Sequence, residues 1–129
     1  MGKEIKLFSS FIMKKEKKLT KKKLNKLLKR EVKKQFLDWS IKVKERDGNH
    51  CALCPSVTLL NAHHLIGREF KQLRFDLDNG ISLCPFHHQW SKDISPHRNS
   101  FVFFVWFMTN RKEQYQRLLE KAFKLGLLK

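Results

Sequence analysis

Apolar residues recur at spacings of three and four from Leu24 through Leu27, Leu28, Val32, Phe36 and Trp39 to Val43, a stripe that predicts one long amphipathic helix. Thr20 stands where an N-cap belongs and Asp47-Gly48 where the helix should stop, which gives a helical segment over residues 19–47. The pattern then shortens. Val57 to Leu60 and Ala62 to Ile66 have the length and apolar content of two small strands, with Asn61 between them as a turn or bulge. Ile81 to Leu83 leads into a helix that begins near Pro85, a residue favoured in the first turn. The polar run Ser95-Pro96-His97-Arg98-Asn99-Ser100 predicts a loop, and Ser100 caps a helix reaching Met108 or Thr109. Asn110-Arg111-Lys112-Glu113 has capping-box form and opens a last helix through Tyr115, Leu118, Leu119, Ala122 and Phe123, with Gly126 as its stop. The aromatic run from Phe101 to Met108 is expected to be core rather than a recognition surface.

These elements predict an α+β chain, and 129 residues suffice for one domain with a thin core. Its parts are a partly ordered leader over 1–18, where no period is visible, the helix over 19–47, a compact centre over 48–92 and a helical segment over 93–129. No apolar run reaches the ~20 residues a membrane span requires, and no signal peptide is visible at the N-terminus. A membrane partner is therefore not expected.

Charge changes the picture. The chain carries 28 Lys and Arg against 12 Asp and Glu, a formal net charge of +16, which draws polyanions through long-range attraction and counterion release. Nucleic acid is the first candidate partner. Between Lys14 and Lys34 twelve residues are Lys or Arg and two are Glu, so Lys22, Lys26, Lys29, Arg30 and Lys33 either form a solvated face or lie against a phosphate backbone. Arg68, Lys71 and Arg74, on a charged loop between Gly67 and Gly80, are further candidates, since arginine can hold two phosphate oxygens at once.

All three cysteines and five of the six histidines fall between His50 and Trp90. Three thiols cannot all pair within a chain, and their spacing reads as ligation in a reducing compartment. Cys51-x-x-Cys54 and Cys84-x-x-His87 are two knuckles of equal gap, which together supply the four donors of a closed tetrahedral Zn²⁺ site. His63, His64 and His88 are left over. Adjacent residues on a strand face opposite ways, so His63 and His64 cannot serve one atom, and a division between metal ligand and base is natural. His87 and His88, adjacent on a helix, splay apart by about 100°. His50 and His97 read either as supports behind the ligands or as ordinary surface, and Trp90 and Trp106 as packing residues.

Ala62-His63-His64-Leu65-Ile66, Asn79 and Cys84-x-x-His87-His88, set behind Cys51-x-x-Cys54, resemble the HNH endonucleases with a zinc-stapled ββα-metal fold, over roughly residues 46–92. Arg68, the run from Arg74 to Gly80 and the later aromatic helix resemble, more finely, phage recombination nucleases of the NinG/Rap type and related small phage HNH proteins. The resemblance implies that His64 is the general base, that His63 and His88 hold one catalytic divalent ion, and that Asn79 holds the loop and orients the base. It implies a DNA substrate, branched or nicked forms included, with 5′-phosphate and 3′-hydroxyl products. Mg²⁺ is the usual expectation for such an ion, but His63 stands where Asp is more common, and two imidazoles turn the preference towards Mn²⁺, Ni²⁺ or Zn²⁺. The expected setting is the cytoplasm of a bacterial or archaeal host, with phage or virus coding as one origin. The competing readings are a non-catalytic zinc-stapled DNA-binding module, for which His64 and Asn79 are dispensable, and an assembly module docking through the aromatic helix.

Overall fold

In a computed structural model, which describes residues 19–128, the protein is a mixed α+β chain with one two-stranded antiparallel sheet. The expected leader over 1–18 lies outside the described residues. Among those described, no helix is long and apolar enough to cross a membrane.

Helix α1 spans Lys21–Arg46, and the Thr20 hydroxyl accepts from the Lys23 amide at 3.4 Å at its start. The described residues fall into two compact units, one ending at Gln35 and one beginning at Phe36. The reason lies in the apolar stripe, which is not continuous in burial. In the first unit Leu24, Leu27 and Leu28 are about half exposed, at 48, 51 and 55%. Lysines occupy so much of the helix there that it is polar nearly all round, and only Trp39 and Val43 of the stripe are fully buried, both in the second unit.

In the second unit β1 (Asn61–His64) pairs with β2 (Gly80–Leu83), with Asn61 opposite Leu83, His63 opposite Ile81 and His64 opposite Gly80. The strand expected over Val57 to Leu60 does not form. Cys51 N donates to Ser56 O at 2.8 Å and folds that segment back as a knuckle, Leu59 takes φ +51°, and Val57 and Leu59 stay exposed. β2 is the true partner, and Asn61 begins β1 rather than making a turn. A 3₁₀ turn (Leu77–Asn79) precedes β2, capped by Asp76, and one wide helical turn (Phe86–Trp90) follows it behind Pro85.

Two further helices close the unit, α2 (Ser100–Asn110) and α3 (Lys112–Lys124). Asn99, not Ser100, caps α2, accepting from Val102 N at 3.4 Å. The expected capping box is absent, because the Asn110 amide donates to Trp106 O and Arg111 begins α3 with no side-chain cap bond. The aromatic run is core on one face only. Phe103 and Phe107, four residues apart, are buried with Cys51, Ile81, Leu83 and Cys84, whereas Phe101 and Phe104 are exposed. α3 buries Gln114, Leu118 and Ala122 at the same spacing of four.

Polar bonds fasten this thin core. Asp47, just beyond α1, accepts from Arg46, from Arg111 at 2.9 Å and from the Ser82 amide of β2 at 2.8 Å. Burial would raise the Asp47 carboxyl, but these donors outweigh it and hold it below the usual carboxylate range. Gln114 donates to the carbonyls of Asp78 and Gly80, both at 2.9 Å. Gly80 itself has no room for a side chain, since an added Cβ would lie 2.6 Å from Trp39 Cζ2 and from Val43 Cγ2. Gly80→Ala is expected to destabilise the protein by about 1–3 kcal/mol through overpacking, read by chemical denaturation. An unchanged midpoint would mean that α1 does not press on β2 as described.

Candidate metal centres

The knuckle at Cys51 to Cys54 is shaped by its own backbone. Leu53 N lies 3.4 Å from Cys51 Sγ, and Ala52 N donates to Ser82 O at 2.9 Å, which fixes the knuckle beside β2. Cys84 follows directly at the end of β2, and the turn after Pro85 brings His87 back to it. The donor atoms of Cys51, Cys54, Cys84 and His87 all lie within 4.8 Å of one another. Cys54 Sγ is 3.8 Å from Cys84 Sγ, and His87 Nδ1 is 3.3 Å from Cys84 Sγ and 3.8 Å from Cys51 Sγ. A tetrahedron with Zn–S near 2.3 Å has S···S edges of about 3.8 Å, so the Cys54–Cys84 separation is that of a zinc site. The four donors can hold a metal ion, in the grouping the spacing predicted. Burial pushes the Cys51 thiol up to about 11, so a cation is what would draw a thiolate from it. Burial also acts on Cys84, but backbone amides led by His87 outweigh it and pull that thiol down. His50, outside the set, donates from Nδ1 to Cys51 O at 2.7 Å.

The second cluster is built of imidazoles. His63 points off β1 so that its Nδ1 lies 3.2 Å from His88 Nε2 on the short helix. His97 joins them, its Nε2 also 3.2 Å from His88 Nε2, and the three ligand nitrogens lie within 4.8 Å of one another. The sequence did not single out His97 as a ligand; it is nine residues beyond His88 with no motif spacing to it. Burial pulls the His63 imidazole down to about 3, with His88, His97 and His64 adding to the effect. His88 is lowered as well, by burial and by His97. Both half-buried rings are thus shifted towards the neutral form.

His64 faces the other way. Its Nε2 is 2.8 Å from Arg74 O, and its ring stacks on the Trp39 indole at 3.9 Å and 13°, with Phe36 edge-on at 5.7 Å. A carbonyl can only accept, so Nε2 carries the hydrogen and Nδ1 keeps the lone pair. Burial lowers the His64 pKa, partly countered by the Arg74 carbonyl, and Arg68 lowers it further. Trp39 was expected only as core. It also forms one wall of the His64 position, anchored by its own Nε1 bond to Asp76 O at 2.9 Å.

Asn79 is fully buried and spends its whole amide on the loop between the strands. Nδ2 donates to Ile66 O at 2.9 Å and Leu73 O at 3.1 Å, while Oδ1 accepts from Ile66 N at 2.6 Å. It therefore acts on position alone, through the loop whose Arg74 carbonyl holds His64. Arg74 lies over the rings of Phe36 and Phe75 at 5.8 and 5.0 Å, and its buried Nε has no partner among the described residues. Arg68 and Lys71 are exposed on the same loop. Lys22, Lys26, Lys29, Arg30 and Lys33 are exposed along the helix of the first unit.

Comparison of the chain with protein-family models, with curated proteins and with solved structures finds no match. Cys84→Ser should remove the metal bound by the thiolate cluster and lower the melting temperature by on the order of 10–20 °C, as expected when a structural ion is lost from a unit this size. Metal content by mass spectrometry and a thermal melt check it; a variant that melts like the wild type would show the cluster to be four unligated side chains.

Proposed function

We propose that the chain is a metal-dependent DNA endonuclease of the HNH type, with a ββα-metal core stapled by zinc. The observation that carries this reading is the pair of neighbouring histidines on β1 turned to opposite tasks. His63 enters a cluster of metal-binding nitrogens, and His64 is oriented by a backbone carbonyl that leaves Nδ1 as a base. The order of strand, loop, strand and short helix, with Asn79 clasping the loop, supports the same reading. So does the Cys₃His cluster, which takes Cys51 and Cys54 from before the sheet and Cys84 and His87 from after it.

In the proposed reaction His64 Nδ1 takes a proton from a water whose oxygen attacks phosphorus, and the bond from phosphorus to the 3′-oxygen breaks. The fixed ring orientation keeps the lone pair aimed while Nε2 stays bonded to Arg74 O, so the imidazolium formed is held by that carbonyl. A divalent ion on His63 and His88, when bound, would offset charge on the phosphate and the leaving oxygen. Arg68 and Arg74 would hold phosphate oxygens near the base, and the exposed lysines of the first unit would add affinity without sequence choice.

Cleavage of supercoiled plasmid and of a branched oligonucleotide with Mg²⁺, Mn²⁺, Ni²⁺ or EDTA tests the reading. His64→Ala is expected to cut about 10²–10⁴-fold more slowly while keeping its zinc and its DNA affinity. DNA binding with no cutting by the wild type under any of these ions would favour the zinc-stapled binding module instead. The binding constant should also fall steeply with salt, with a logarithmic slope of about −4 to −5 if Lys22, Lys26, Lys29, Arg30 and Lys33 each neutralise a phosphate. A flat slope would remove that helix as the DNA handle.

A further inference from the structure

We propose that His97 completes a three-imidazole site with His63 and His88, and that this site selects a first-row transition ion such as Zn²⁺, Co²⁺ or Ni²⁺ over Mg²⁺. The identity of the ion rests on the histidine geometry, while its role in cleavage rests on the nuclease reading above.

His88 Nε2 faces two other ring nitrogens, His63 Nδ1 and His97 Nε2, each at 3.2 Å. A ring nitrogen carries either one hydrogen or one lone pair, so it cannot make a good hydrogen bond to both neighbours. A cation among the three satisfies them all at once. With metal–nitrogen bonds of 2.0–2.1 Å, ligand nitrogens around one ion stand about 2.9–3.4 Å apart, and both spacings from His88 Nε2 fall in that range. The donor set contains no carboxylate. Mg²⁺ is held through oxygen ligands and gives up its water reluctantly, whereas neutral imidazoles bind later first-row ions far better.

The loop carrying His97 is built to hold it there. Ser95 is fully buried, its Oγ accepts from Arg98 N at 2.8 Å and its carbonyl accepts from Asn99 N at 2.9 Å. The Asn99 amide donates back to Lys92 O and Asp93 O at 3.2 and 3.1 Å, so the turn around His97 is tied at both ends. On the inner side Phe103 meets the His63 ring edge-on at 6.2 Å. His97 is exposed where the other two are half-buried, so the cluster opens to solvent on its side. Water or a phosphate oxygen can reach the remaining coordination positions from there.

The test uses the full chain with its thiolate cluster loaded with one equivalent of Zn²⁺ and then titrated with Co²⁺. A second ion should bind with the visible bands of a nitrogen site and no thiolate charge-transfer band, and a large excess of Mg²⁺ should not displace it. His97→Ala should weaken that Co²⁺ affinity by on the order of 100-fold or more. Its thiolate cluster, followed by direct Co²⁺ substitution at those cysteines, should be unchanged and so report an intact fold. In the wild type, the ¹⁵N resonances of all three imidazoles should shift together on adding Zn²⁺, a readout that needs no variant. Equal Co²⁺ affinity in His97→Ala, or a His97 resonance that stays put, would overturn the three-imidazole site. Displacement by Mg²⁺ would overturn the selectivity. A site that binds Co²⁺ as described in a protein that cuts no DNA would overturn the nuclease reading and leave the metal site standing.

Discussion

The register of the two-stranded ladder, His64 opposite Gly80, is the constraint on which the site depends. Side chains alternate along a strand, so a slip of one residue would turn His64 to the face of the imidazole cluster and His63 to the face of Trp39. Two four-residue strands cannot hold such a register by their own hydrogen bonds. It is held from outside. Gly80 fits under Trp39 and Val43 because it lacks a Cβ, Asp47 grips the Ser82 amide, and Asn79 joins the end of β1 to the start of β2 across the loop.

The electrostatics serve the same end. Asp76 and Asp78 bind Lys121, and Asp78 also binds Arg117, which fastens α3 to the turn just before β2. Burial would raise the Asp78 carboxyl, but Arg117 and Lys121 outweigh it and keep it charged. These exposed-side pairs are individually weak, yet they converge on one short turn with the Gln114 bonds to Asp78 and Gly80 carbonyls. Acidic groups in a chain of net charge +16 are thus committed to internal fastening in these cases. The basic residues along the helix of the first unit, and Arg68 and Lys71, stay exposed.

Much of the site was legible because its chemistry is written in short spacings. Two Cys-x-x-Cys/His knuckles name a four-donor cluster, and two adjacent histidines on a strand must diverge, whatever the rest of the chain does. The long helix and the closing helices were legible through periodicity and their stops. The errors came where burial, not pattern, decides. Val57 to Leu60 has strand composition, but the knuckle's bond from Cys51 to Ser56 takes its backbone elsewhere. The leucines of α1 and the outer phenylalanines of α2 are as apolar as their buried neighbours, and nothing local distinguishes a residue that finds a partner from one that does not.

The sequence by itself therefore determined the donor chemistry, the charge and the local periodicities, because each is a property of residues a few positions apart. The tertiary structure alone decided that β2 is the partner of β1, that His97 joins His63 and His88, and that Trp39 backs His64. Those residues are separated by 9 to 34 positions within their groups, and only packing sets which of them meet. A contact across such a gap depends on the path of the intervening loops, which their own composition does not specify.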